Sequence, residues 1–158
     1  MRKNAYILIT CLLALFSCTK SNTCTITDDI ALQIRFYSDS IDTLGNYVAF
    51  EKPIDSLTLQ GVGNDSVILS NTKSVSRISL PLRNTDTITA YALTINGTLD
   101  TLTIRHQNTD VFVSLQCGCF TYHTVENVTE SACLFDSIAY IEHEIGRVQT
   151  ENIRLFWH

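Results

Sequence analysis

Hydrophobic and polar residues alternate with a period of two along most of the chain from about residue 28 onward. Four segments show the pattern most clearly, and the residues on one face of them are Leu32, Ile34, Phe36; Ile78, Leu80, Leu82; Val111, Val113, Leu115, Cys117; and Ile153, Leu155, Trp157. Such alternation is typical of strands that are buried on one face only. Threonine is frequent in these segments, and β-branched side chains favour a pleated surface. The pattern therefore predicts a chain built almost entirely of strands.

Turn signals separate the predicted strands. Asn96-Gly97 lies between two threonine-rich apolar runs, and Asn-Gly is the strongest short signal for a β-hairpin. The nearest candidate for a helix is the segment from Glu142 to Arg147, which a turn or bulge at Gly146 explains equally well. We therefore predict a single all-β domain over residues 28–158, an antiparallel β-sandwich of roughly eight to ten strands.

The first 17 residues have a different character from the rest. Arg2 and Lys3 precede a twelve-residue, largely apolar stretch from Ala5 to Phe16. As a helix this stretch would be roughly 18 Å long, which is too short for a hydrocarbon core of about 30 Å. A basic start, a short apolar region and a small residue, here Ser17, indicate a secretory signal peptide over residues 1–17.

The residue that follows the predicted signal peptide is a cysteine. The pattern of leucine, any residue, a small residue and Cys18 resembles the lipobox of bacterial lipoproteins, although Phe16 departs from the usual small or aliphatic residue. The resemblance implies that Cys18 carries the lipid and that residues 18–27 form a lipidated tether to the membrane. The alternatives are a secreted protein cleaved elsewhere and an uncleaved anchor.

The charge of the chain argues against one class of partner. The full sequence has 11 basic and 16 acidic residues; without residues 1–17, which hold two of the basic and none of the acidic ones, its net charge is −7. The basic residues are scattered singly, so no basic patch could follow a phosphate backbone. We expect no nucleic acid partner.

Four cysteines remain after Cys11 is removed with the signal and Cys18 is lipidated: Cys24, Cys117, Cys119 and Cys133. In an exported domain this number indicates two disulfides. A bond between Cys117 and Cys119 would close a very tight ring, so we expect one of them to pair with Cys24 and the other with Cys133.

A metal site is the main chemical alternative for the same region. Cys117, Cys119, His123 and Cys133 could supply zinc ligands, with His143 as a further candidate. Structural zinc sites favour a C-x(2–4)-C spacing, which C-G-C matches only in part. Because disulfides suit an exported domain better, we expect no metal and no cofactor.

Catalytic motifs are missing from the sequence. It contains no G-x-S-x-G, no H-E-x-x-H and no phosphate-binding glycine loop, and Glu142-His143-Glu144 alone is typical of a strand edge. We therefore predict that the protein is not an enzyme. A carbohydrate-binding accessory role is a weaker alternative, since it needs exposed aromatic residues such as Phe156 or Trp157.

Several segments, in order, carry a resemblance to a known family: I-R-F-Y-S-D (34–39), R-I-S-L-P-L (77–82), D-T-L-T-I-R-H-Q-N-T-D-V-F-V-S-L-Q-C-G-C (100–119) and E-N-I-R-L-F (151–156). Together they resemble a family of small Bacteroidota lipoproteins classed as a domain of unknown function. The resemblance implies an all-β domain, and it favours Cys24 pairing with Cys117 and Cys119 with Cys133. It implies no activity.

The resemblance also bears on location. Surface-exposed lipoproteins of these bacteria tend to carry acidic residues just after the lipidated cysteine, whereas here T-K-S-N-T follows Cys18. We therefore expect an anchor in a membrane facing the periplasm, the outer membrane first and the inner membrane as the alternative. The expected function is that of a non-catalytic binding or assembly module with an envelope protein as its partner.

Overall fold

The computed structural model describes residues 30–64, 66–115 and 117–158. The predicted signal peptide, Cys18, the tether and Cys24 lie outside the described residues. The described part of the chain folds into strands joined by turns and contains no helix. Accordingly, none of the segments described forms a helix that could cross a membrane.

Eleven strands make up the described part of the chain. In order they are β1 (Leu32–Ile41), β2 (Tyr47–Glu51), β3 (Ile54–Gly61), β4 (Val67–Val75), β5 (Arg77–Leu80), β6 (Ile88–Ile95), β7 (Thr98–Ser114), β8 (Gly118–Glu130), β9 (Ser137–Tyr140), β10 (Glu144–Ile145) and β11 (Ile153–Phe156). They form two largely antiparallel sheets, which confirms the prediction of an all-β, sandwich-like domain.

The first sheet has the order β2-β1-β11-β9, and β5 also pairs with β1. Strand β1 is its centre, because its first half pairs with β5, its second half with β2, and its other edge with β11. The β1–β11 pair is parallel, with Ile34 opposite Ile153 and Phe36 opposite Leu155. This parallel pair is a departure from the predicted antiparallel arrangement, and it joins the two ends of the described chain within one sheet.

The second sheet has the order β10-β8-β7-β6-β3-β4. Its strands β6, β7 and β8 form a meander, and the long β7–β8 hairpin contains two register shifts. The turn between β6 and β7 has the two residues Asn96 and Gly97, as predicted from the sequence, and both have positive φ angles of 50° and 91°.

The core lies between the two sheets. Alternate residues of β1, β5 and β11 face alternate residues of β3, β6, β7 and β8. The largest completely buried side chains are Phe36, Leu32, Ile34, Ile54, Leu57, Leu59, Leu80, Leu93, Leu102, Ile104, Ile153 and Leu155. Three of the four alternating segments in the sequence thus bury the face that their pattern predicts.

The fourth segment, at the end of β7, is different. Leu115 is 91% exposed, and Phe112 on the opposite face is 63% exposed. The expectation that Val111, Val113, Leu115 and Cys117 share one inward face fails at Leu115, because β7 ends at Ser114 and Leu115 lies in the turn that leads to β8, whereas the other three residues are half-buried. A period-two pattern shows which residues share a face, but not whether another sheet covers that face.

Candidate functional site

The β1–β2 hairpin carries the largest concentration of exposed apolar side chains in the described part of the chain. Its members are Ile41 (62% exposed), Leu44 (85%), Tyr47 (76%), Val48 (45%) and Phe50 (45%). We call these five residues the apolar hairpin surface. Single exposed apolar residues are ordinary, but a concentration of large ones on one hairpin marks a site of interaction.

Hydrogen bonds hold the turn of this hairpin in one conformation. The carboxylate oxygen Oδ1 of Asp42 accepts from the backbone N–H of Leu44 and of Asn46, both at 2.8 Å. These bonds to Asn46 and Leu44 also lower the pKa of Asp42. Gly45, at φ +85°, supplies the left-handed residue that the turn requires. Leu44 is therefore presented by an ordered turn, which reduces the entropy lost on binding.

The base of the hairpin is tied to the body of the domain. The backbone carbonyl of Lys52 accepts a hydrogen bond of 3.1 Å from the indole N–H of Trp157. The ammonium group of Lys52 lies 4.4 Å from the centre of the Trp157 ring. Glu51 accepts a hydrogen bond of 2.5 Å from Arg35 of β1. The hairpin is thus anchored at its base, and its apolar side chains extend beyond the core.

The sequence contains only a weak signal for this surface. The segment Tyr47-Val48-Ala49-Phe50 is apolar at every position, so both faces of β2 carry apolar residues. A strand with two apolar faces is usually buried on both sides. Here every residue of β2 is exposed, which only the structure reveals.

A second cluster consists of two buried histidines and their partners. His106 is completely buried and His123 is 2% exposed. Their rings meet edge to face with centres 5.2 Å apart. The side-chain oxygen of Asn108 lies 2.8 Å from Nδ1 of His106 and 2.8 Å from Nδ1 of His123. The Thr89 hydroxyl lies 2.9 Å from Nε2 of His106.

The hydrogen bonds of Asn108 define the proton positions in this cluster. Its side-chain NH₂ donates to the backbone carbonyls of Arg83, Asn84 and Asp86, at 2.8 to 3.1 Å. The side-chain oxygen must therefore be the acceptor from both histidines, which places a proton on each Nδ1. Burial lowers the pKa of His106, and burial together with His106 lowers the pKa of His123 to about 4. Both rings are neutral and bound into the core at pH 7.

One of the two cysteine pairs that the family resemblance favoured, Cys119 with Cys133, does not form. Cys119 and Cys133 are both free and exposed, so their predicted pairing is wrong. Cys119 is the second residue of β8, and Cys133 follows the end of that strand at Glu130. Eleven residues of extended strand span roughly 35 Å, whereas a disulfide needs Cα atoms within about 7 Å. Cys117 is disulfide-bonded, but Cys24 lies outside the described residues, so the pairing of Cys24 with Cys117 stays a prediction.

The same geometry separates the proposed zinc ligands. Cys119 and His123 line one small cavity of about 230 Å³, but Cys133 lies at the other end of β8. The thiol of Cys117 is engaged in a disulfide. The Nδ1–H of His143 donates to the backbone carbonyl of Val125 at 2.7 Å. Within residues 30–64, 66–115 and 117–158, no three His, Cys, Asp or Glu side chains are grouped as metal ligands.

The aromatic residues named for carbohydrate binding are only partly accessible. Trp157 is half-buried against the core, and Lys52 lies over its ring. Phe156 packs against Tyr37, with ring centres 5.8 Å apart. Tyr47 and Phe50 of the apolar hairpin surface are more exposed, but they lie on opposite faces of β2.

A buried carboxylate that the sequence analysis did not single out lies where β7 meets the loop after β8. Oδ1 of Asp100 accepts from the backbone N–H groups of Thr101, Ser131 and Ala132 and from the Ser131 hydroxyl, at 2.6 to 2.9 Å. Burial opposes ionisation, but these donors outweigh it and lower the pKa of Asp100. Burial and the nearby Asp100 raise the pKa of Glu130. The carboxylate of Asp100 therefore holds the loop after β8 in place.

Fold and surface together define a class of protein: an all-β domain of two packed sheets that presents an apolar hairpin at one sheet edge. The chain belongs to DUF6452, a family of unknown function, whose family model matches residues 56–157. The match covers strands β4 to β11 and most of β3, and it leaves β1 and β2 outside. No curated protein and no solved structure matches the chain.

Proposed function

We propose that the protein is a non-catalytic binding or assembly module of the bacterial cell envelope, held at the membrane by a lipid on Cys18. The observation that carries the proposal is the apolar hairpin surface, whose five large side chains are exposed on an ordered turn and an edge strand. Apolar side chains of this size, concentrated on one hairpin, are the kind of surface that a protein partner covers.

The two buried histidines are poorly suited to acid–base catalysis. The two buried histidines are neutral and held by Asn108. General acid–base catalysis at neutral pH is best served by a group whose pKa lies near 7, whereas that of His123 is about 4. The lipid anchor, the periplasmic location and the tether over residues 18–27 belong to the proposal through the sequence pattern around Cys18.

Site-specific photocrosslinking in intact cells tests the proposal. A photoreactive amino acid replaces Tyr47 on the apolar hairpin surface, and in a control variant it replaces Leu99, which is 64% exposed on a different hairpin. We expect one adduct from position 47, identified by mass spectrometry, and none of that species from position 99. The further substitution Phe50→Lys should reduce the adduct at least tenfold.

Two outcomes of the crosslinking experiment would contradict the proposed function. If position 47 gives no adduct, or if the same species appear from positions 47 and 99, the hairpin is not a docking surface and the proposed function fails. Domain stability should be measured for each variant, so that loss of the adduct is not confused with loss of folding.

A further inference from the structure

We infer that the outer edge of β2 pairs with β2 of a second copy of this chain, in antiparallel orientation about a two-fold axis at Ala49. The inference rests on the proposed function, because it names the occupant of the apolar hairpin surface. Three observations support it: which residues of β2 direct their backbone groups outward, which side chains the pairing brings together, and where the charges of the strand lie.

The hydrogen bonds at the two ends of the hairpin show which residues of β2 direct their backbone N–H and C=O groups toward β1. The backbone N–H of Lys52 donates to the carbonyl of Phe36 at 3.0 Å, and that of Asp42 donates to the carbonyl of Asn46 at 2.9 Å. In an antiparallel ladder, hydrogen-bonded pairs recur at every second residue. Even-numbered residues of β2 therefore direct their backbone groups toward β1, and odd-numbered residues direct theirs outward.

The outward residues are Tyr47, Ala49 and Glu51. No strand pairs with this edge of β2 among the residues that the structure describes. Each of the three residues thus offers an N–H and a C=O to a further strand. An edge of this kind is a template for pairing with another chain.

A two-fold axis at Ala49 uses all of these groups. It places Ala49 opposite Ala49 of the second copy and Tyr47 opposite Glu51, as hydrogen-bonded pairs. It places Val48 opposite Phe50, as a pair between the hydrogen-bonded ones, where side chains approach most closely. A β-branched residue opposite an aromatic one is a favourable cross-strand pair, and the symmetry provides it twice.

The charges agree with this register. Glu51 is the charged residue of β2, and in this register it lies opposite Tyr47 rather than opposite the other Glu51. Its carboxylate is already paired with Arg35 of its own chain at 2.5 Å. The register therefore brings no like charges together across the interface.

The other long edge strand lacks these properties. Strand β4 contains Lys73, and its residues Asn71 and Ser74 have positive φ angles of 47° and 54°. A lysine and an irregular backbone are devices that keep an edge strand from pairing. Strand β2 has neither, since its sequence is Tyr-Val-Ala-Phe-Glu and all its non-glycine φ angles are negative.

Cysteine crosslinking of the full-length protein in membranes tests the register. Hydrogen-bonded residues in antiparallel strands have Cα atoms about 5.5 Å apart, which suits a disulfide. The substitution Ala49→Cys is made with Cys119→Ser and Cys133→Ser, because both of those thiols are free and exposed. We expect mild oxidation to give a covalent dimer of this variant that reductant reverses.

The matched control is Glu51→Cys in the same background. Under the two-fold register the two copies of residue 51 are four residues out of line, too far apart for a disulfide. Dimer yield should therefore be at least fivefold lower than for Ala49→Cys. Equal yields at both positions would show random collision, and no dimer from Ala49→Cys would overturn the inference.

A proline variant provides a second measurement without thiols. Ala49→Pro removes an outward N–H and leaves the β1–β2 hydrogen bonds in place, whereas Ala49→Val keeps the N–H. Native mass spectrometry from detergent micelles should show a dimer for the wild type and for Ala49→Val, and a monomer for Ala49→Pro with an unchanged unfolding midpoint. A dimer that persists in Ala49→Pro would contradict pairing through β2.

These results also separate the inference from the proposed function. If the crosslinker at position 47 captures an identified protein other than this chain and Ala49→Cys gives no dimer, the second-copy inference fails and the proposed function stands. If neither experiment gives an adduct, both fail.

Discussion

Buried histidines couple the stability of this domain to pH. His123 is 2% exposed, and its pKa falls from 6.5 to about 4 because the protonated ring would lose its hydration and face His106. The Nδ1 proton is already donated to Asn108. The folded state therefore binds a proton at this ring only at much lower pH than the unfolded state does.

The sign of the effect follows from linkage. Because the folded pKa lies below the unfolded one, the stabilisation from neutral His123 is complete above pH 6.5 and is lost as pH falls toward 4. We expect this group to account for a loss of about 2 kcal/mol in the free energy of unfolding between pH 7 and pH 4.5, in urea titrations. His123→Leu should show a correspondingly smaller loss over the same range.

The pH range above 6.5 serves as the internal control for this prediction. Between pH 8 and pH 9 His123 is neutral in both the folded and the unfolded state, so the difference in stability between the wild type and His123→Leu should stay constant. An identical acid dependence for the two proteins would show that His123 does not set it.

At the scale of elements, the β6–β7 hairpin shows how a local sequence determines a turn. Asn96 and Gly97 both have positive φ, and Ile95 pairs directly with Thr98 across the two-residue loop. Asn96 also bonds to β3, since its side-chain oxygen accepts from the N–H of Ser56 at 3.0 Å. The turn thus joins β6 to β7, and its hydrogen bond to Ser56 holds the hairpin against β3.

Gly97→Ala should destabilise the domain, because a side chain at φ +91° is strained although no atom lies within 4 Å of its Cβ position. We expect a loss of about 1–2 kcal/mol in the free energy of unfolding, measured with denaturant. The matched control is Gly146→Ala, whose Cβ would make an ordinary contact of 3.4 Å with Tyr122 and whose φ is not positive.

The control should change stability by less than about 0.5 kcal/mol. Equal effects at the two positions would mean that the loss at Gly97 comes from the denatured state, and not from backbone strain at the turn.

Elements with the clearest local signals were predictable from the sequence. Strands β1, β5 and β11 have a strict period of two, and their alternate residues Leu32, Ile78 and Leu155 are buried as predicted. Strand β2 was not predictable, since four apolar residues in a row indicate burial on both faces. The hairpin exposes them because β2 lies at an edge, and strand order is a non-local property.

At the scale of the whole molecule, the parallel pairing of β1 with β11 holds the first sheet together. Strand β11 lies between β1 and β9 and completely buries Ile153 and Leu155. The side chain of Asn152 adds to this connection, because its oxygen accepts from the N–H of Gln33 and its NH₂ donates to the carbonyls of Glu142 and Glu144.

Deletion of residues 151–158 should therefore abolish cooperative unfolding, since β1 and β9 would lose the strand that joins them and the core would lose two large side chains. Near-ultraviolet circular dichroism and denaturant titration measure the loss. Deletion of His158 alone removes an exposed residue that bonds to Asp39 and Asp136 at the surface, and it should leave the transition cooperative. A cooperative transition after the longer deletion would show that β11 is dispensable for folding.

The sequence by itself determined the structural features that depend on residues close together in the chain. Period-two alternation gave the strands and the all-β class, and Asn96-Gly97 gave its hairpin, because side-chain direction and turn geometry are local properties. Only the tertiary structure decided that β1 pairs with β11 in parallel and that Asn108 contacts both His106 and His123. It also decided that Cys119 and Cys133 lie far apart and that β2 is exposed. Each of these depends on strand order and on which face another sheet covers, and residues far apart in the chain determine both.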